Sequence, residues 1–150
     1  VRQNLAGVHL ARLVHMTSNG SLARAFAEKR LELRSAGPED DQVLEPLRAL
    51  ATEEKLLDED ARILATARGV AVHASAESYA WIRLKGASGR AALPRILRIY
   101  DREIFELAEF AREGTDDDVR SLLLAALDGR HSVRAALAAL APKATLPGAK

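Results

Sequence analysis

At 150 residues and without cysteine, the chain is long enough to bury a core and offers no disulfide, thiol nucleophile or Cys-based zinc site. Its 22 Lys and Arg balance 21 Asp and Glu to a net charge of +1, which gives no electrostatic footprint for nucleic acid. Aromatic residues at 4% argue against base-stacking platforms, and no apolar run approaches the roughly 20 residues that span a bilayer.

The first segment, Val1 to Met16, is apolar and basic. His9, Arg12 and His15 interrupt it, so it does not read as a signal peptide. It is expected to be an extra N-terminal helix or an upstream extension ahead of Met16, and a cytoplasmic location is favoured over export. Arg2, His9 and Arg12 are expected on a solvated side of that helix. The next element is expected from Gly20 to Ala36, opened by Thr17-Ser18-Asn19 and closed by Gly37-Pro38. Its stripe is Leu22, Phe26, Lys29, Leu33 and Ala36, while Ala23, Ala27 and Leu31 make a second apolar face. That outer face is where a second copy or a protein partner is expected, unless the N-terminal segment covers it.

Pro38 to Gln42 reads as an acidic turn suited to the start of a helix. From Val43 to Val70, the residues Val43, Leu47, Leu50, Leu57, Ala61 and Leu64 recur at alternating spacings of four and three, one face of a long helix. Glu54 falls on that stripe and Asp58 borders it. A crossover from Val70 to Gly89 is expected to contain a short helix, Ala76 to Lys85, capped by Ser75. The following helix, Ala91 to Glu113, carries Leu93, Leu97, Tyr100, Ile104, Leu107 and Ala111. Thr115 and Asp118 form a capping-box-like start for the last helix, whose stripe runs through Val119, Leu123, Ala126, Arg130, Val133, Leu137 and Leu140. The tail from Pro142 is expected to be disordered. The fold class is therefore all-α: two helical hairpins joined by a long crossover, the connectivity of a ferritin-like antiparallel four-helix bundle spanning 20–141.

Gly20 to Val70, with its small-residue start, Pro-Glu turn and terminal Gly-Val pair, resembles the first hairpin of a bacterial ferritin-like family of unassigned function. Ala87-Ser88-Gly89 and the stretch from Asp101 to Gly114 resemble that family's second half. Members often carry Asp-His pairs in the middle of the second and third helices and are commonly exported. Here the matching positions read Glu53-Glu54 and Asp101-Arg102, so the resemblance implies the fold without the histidines of a metal role.

A di-iron carboxylate site needs inward Glu-x-x-His pairs, and the chain has none. Asp128-x-x-His131 comes nearest, but helical phase turns it off the apolar stripe. Glu103 borders its stripe and reads as solvated. Lys29, Glu54, Tyr100 and Arg130 fall on stripes with Asp58 beside them, two cations against two carboxylates. Counted from the hairpin turns, Tyr100 and Arg130 come level, and Lys29 lies about one helical turn from Glu54. The expectation is an internal salt-bridge layer in which Lys and Arg supply the positive charge of a metal. That makes the protein a non-enzymatic bundle acting in binding or assembly, with no cofactor and no catalytic or metal-binding residue. The alternative is a di-metal carboxylate protein, an oxidase or iron-handling bundle using Glu28, Glu54, Asp58 and Glu103.

Overall fold

The computed structural model describes residues 2–72, 79–113 and 116–141, and all its extended regular elements are helical. They are α1 (Arg2–Thr17), α2 (Leu22–Ala27), α3 (Pro38–Ala67), a 3₁₀ helix (Ala80–Leu84), α4 (Gly89–Arg112) and α5 (Asp117–Ala138). The expected caps Ser75 and Thr115, the Arg2 side chain and the tail from Pro142 lie outside the described residues. No described helix is long and apolar enough to cross a membrane.

The longest helix starts earlier than its periodicity suggests. Pro38 occupies its first turn, where a missing N–H costs nothing, and Glu39, Asp40 and Asp41 favour its positive end. Pro46 lies inside the helix. Ser88 caps α4 by accepting from the Ala91 N–H, and Asp116 caps α5 by accepting from the Val119 N–H.

Cross-helix contacts fix the directions. Glu103 and Asp101 of α4 meet Arg130 and Arg134 of α5, so these two run antiparallel. Glu54 of α3 meets Arg130, and Arg68 after its end meets Asp116 and Asp118, so α3 also opposes α5. The starts of α3 and α4 lie together, because Asp40 Oδ1 accepts from the Arg90 N–H at 2.8 Å. These two helices are parallel, and the chain between them must return along their whole length. A Cβ on Gly89 would stand 2.8 Å from the Asp40 carbonyl oxygen, so the approach requires glycine.

The segment from Gly20 to Ala36 corrects the sequence expectation of one helix. Its helical part is only Leu22–Ala27, and Lys29 takes a left-handed φ of 63°. Beyond it Leu31 and Leu33 are buried while Glu32 and Arg34 are exposed, an alternation of period two that belongs to extended chain. The Arg34 N–H donates to the Ala87 carbonyl, and the Gly86 and Gly89 N–H groups donate to Glu32 and Arg34. This short ladder ties the two long connections together. Of the three residues that suggested an unpartnered outer face, Ala23 and Leu31 are buried within the chain and Ala27 is exposed.

The fourth long helix is instead α1. It runs antiparallel to α3, with Gly7 against Val70 at one end and Ser21, just past its other end, against Glu54. Chain from 2 to 27 thus lies along α3 as a helix broken at Ser18–Ser21. His9 is fully buried, stacked on Phe110 with ring centroids 4.4 Å apart, and its Nε2 lies 2.8 Å from a Glu113 oxygen. Arg12 Nε donates to Glu106 at 2.6 Å. The expectation that His9 and Arg12 line a solvated side is therefore corrected: this side faces α4.

The interior consists of two apolar clusters. One joins α2, the first half of α3, Trp81, the first half of α4 and the end of α5. The other joins α1, the second half of α3, Leu107 and the first half of α5. Each buried Leu contributes about 1.5–3 kcal/mol relative to exposure.

Candidate functional site

Helices α3, α4 and α5 each pass from one apolar cluster to the other through the same level, and each contributes a polar group there. On α3 the group is Glu54, between Ala51 and Ala61. On α4 it is Glu103, between Tyr100 and Leu107; on α5 it is Arg130, between Ala126 and Val133. The break between α1 and α2 falls at this level too.

Arg130 is 0% exposed and Glu54 1%. Arg130 Nη2 donates to Glu54 Oε1 at 2.8 Å and Nη1 donates to Oε2 at 3.2 Å, a two-point grip on one carboxylate. Its Nε donates to Glu103 Oε1 at 2.7 Å. The remaining donors reach backbone: Nη1 to the Ala126 carbonyl at 3.3 Å and Nη2 to the Met16 carbonyl at 3.2 Å. A guanidinium has five N–H groups, and these bonds occupy all of them.

The helix break makes this possible. An α-helix leaves its last carbonyls without internal partners. At the end of α1 the His15 carbonyl accepts from the Gly20 N–H, the Met16 carbonyl from Arg130 and the Thr17 carbonyl from Arg24. The negative end of α1 thereby faces the buried cation. Across the gap, the Ser21 hydroxyl donates to Glu54 Oε1 at 3.2 Å while accepting from the Arg24 N–H as the cap of α2.

One cation is shared by two carboxylates. Burial pushes the Glu54 carboxyl above its ordinary range; Arg130 opposes that shift, and Glu103 adds to it. Burial works against the charge of Arg130 as well, but Glu54 and Glu103 outweigh it and raise its affinity for the proton. Tyr100 is buried beside them, and its hydroxyl has no hydrogen-bond partner among the described residues. Burial, then Glu103 and Glu54, push the Tyr100 phenol well above its usual value.

The structure brings together Glu54 and Arg130 of the expected layer and places Tyr100 in the same interior. It does not bring in the other two. Lys29 is exposed, because the left-handed turn ends α2 before that position can reach the core. Asp58 is held to one side by Arg24 Nη1 at 3.1 Å and Arg62 Nε at 2.9 Å. Glu103, read from sequence as solvated, is a central member. The buried positions of α4 include Ile96, Tyr100, Glu103 and Leu107, a spacing of four, three and four that was available in the sequence. The Met16 carbonyl had no sequence signal, since it depends on a helix break and not on a residue type.

The four carboxylates of the di-metal alternative do not converge. Glu28 is exposed and pairs with Arg24 and Arg30, and Asp58 is paired as above. Among the described residues no group of three or more His, Asp or Glu side chains is arranged to hold a metal ion. Asp128 and His131 are exposed. No protein-family model, curated protein or solved structure matches this chain.

Proposed function

We propose that this chain is a non-enzymatic helical bundle of ferritin-like connectivity whose role is binding or assembly, with Arg130 supplying the positive charge that a metal supplies in di-metal carboxylate bundles. Parallel α3 and α4, joined by a long crossover and each opposed by α5, support the connectivity. The reading rests on one observation: all five N–H groups of Arg130 are engaged, two of them on both oxygens of Glu54. A divalent ion at Glu54 would have to displace a desolvated guanidinium and stand against its charge.

Such a centre fixes which helix levels face one another more than it adds net stability, since desolvation offsets most of the Coulomb attraction. It holds α1, α3, α4 and α5 in one register and leaves the surfaces to act. The experiment is elemental analysis after incubation with excess iron(II) and manganese(II) and desalting. Substoichiometric metal is the expected result. Two tightly held ions per chain would overturn the proposal in favour of the di-metal alternative.

A further inference from the structure

A groove of about 660 Å³ opens between the 3₁₀ helix and α4. Arg83 lines one wall and Arg95, Arg98 and Arg102 the other, with Tyr79, Ile82, Leu84 and Ile99 between them. Arg95, Arg98 and Arg102 follow one another at spacings of three and four, so they form a single ridge about 10 Å long. All four arginines are exposed, and among the described residues no acidic side chain lines the groove and no carboxylate lies within salt-bridge distance of the four. Elsewhere arginines are neutralised across helices, as in Arg12–Glu106, Arg68–Asp116 and Arg134–Asp101. In a chain of net charge +1, four guanidiniums without a described carboxylate partner on one concavity are a marked asymmetry.

The groove also has an end. Beyond Arg102 it meets a cleft of about 140 Å³ that contains Glu103 and Glu106. Those acids pair with Arg130 and Arg12, and the all-basic charge of the groove lining gives way there to a mixed one.

We propose that this groove binds a small anion carrying two or more phosphoryl groups. The proposal takes up the reading that the protein acts by binding, and names the ligand class. Guanidinium forks match phosphate oxygens in paired hydrogen bonds. A ridge of three with a fourth opposite suits several charges spread over about 10 Å better than one carboxylate. The volume lies within the roughly 300–1,000 Å³ of small-molecule sites, and Tyr79, Leu84 and Ile99 offer an apolar floor for an organic body.

The test is calorimetric titration in low salt with EDTA present, so that a protein-bound metal cannot contribute. The probes are inorganic tripolyphosphate and ATP, with inorganic monophosphate at matched ionic strength as reference. At least one of the two should bind tenfold or more tightly than monophosphate, and R98A/R102A should weaken it at least tenfold while the melting temperature stays unchanged. ATP binding tenfold tighter than tripolyphosphate assigns the site to a phosphate ester; equal binding assigns it to free polyphosphate. No binding at millimolar probe, unchanged affinity in R98A/R102A, or binding only to phosphatidylserine vesicles or single-stranded RNA would overturn the proposal. Stoichiometric metal in the separate elemental analysis would overturn the reading of the core and leave phosphate binding in EDTA untouched.

Discussion

Arg130 and the groove arginines are the same residue in opposite settings. Arg130 is enclosed, and five acceptors from four helices or their ends surround it. Arg83, Arg95, Arg98 and Arg102 stand in solvent without a carboxylate partner among the described residues. Water explains the difference. A buried ion that loses its hydration must find replacement bonds, and the fold is arranged around that demand. An exposed ion keeps its hydration, so the fold leaves it unpaired at little cost and its field is available to a ligand.

The largest expected effect tests the buried half of this contrast. Arg130→Met should destabilise the protein by about 3–5 kcal/mol in urea unfolding, because Glu54 and Glu103 would then face each other without a cation. Replacing all three groups, R130M/E54L/E103L, should recover most of that loss, since an apolar layer of similar volume has no charge to satisfy. A triple variant as unstable as R130M would mean that the centre contributes stability of its own.

A smaller effect is expected for Glu54→Gln, below about 1 kcal/mol near neutral pH, because the amide still accepts from Arg130 and removes the burial cost of the charge. Its pH dependence is the sharper readout. The Glu54 carboxyl is raised in the folded protein, chiefly by burial. Its contribution is therefore fully present below the unfolded value of about 4.3 and is lost as pH rises through the folded value. Asp40 has the opposite sign. The N–H groups of Ala36 and Arg90 lower its pKa, so its contribution is present above the unfolded value and lost as pH falls through the folded one. Stability measured from pH 3 to 8 should lose its decline above about 4.3 in E54Q and part of its acid-side loss in Asp40→Asn. The reverse assignment would contradict the geometry of both sites.

Surface pairs should matter least. Arg134 donates to Asp101 at 2.6 Å with both side chains well exposed, and Arg134→Ala should cost below about 1 kcal/mol in thermal unfolding. R98A/R102A should change stability by no more than about 0.5 kcal/mol, because neither side chain has a described carboxylate partner to lose. A large loss there would show that the groove arginines hold the fold together, and would place them with Arg130 and not apart from it.

The legible parts of the sequence were those where one periodic face met one interior. Val119, Leu123, Ala126, Arg130, Val133, Leu137 and Leu140 were read as a stripe, and all but the half-buried Leu140 are buried. Glu54 was visible as an acid on such a stripe, and Arg130 as a cation on another. Glu103 was misplaced because α4 has apolar residues at two neighbouring phases, and Leu97 and Ile104 marked the less buried one. Lys29 failed for a different reason. The spacing from Leu22 to Leu33 fits a helix, yet the chain turns at Lys29 and continues as extended backbone whose leucines are buried two residues apart.

Composition, helix-forming residues and stripe spacing were enough to establish an all-α chain with acids and cations in its interior, because periodicity and burial are properties of single helices. Which charges meet depends on how far each helix extends and where it breaks. Arg130 finds its fifth acceptor only because α1 stops at Thr17 and frees the Met16 carbonyl. That pairing comes from the relative placement of separate helices, and so it exists only once they have packed.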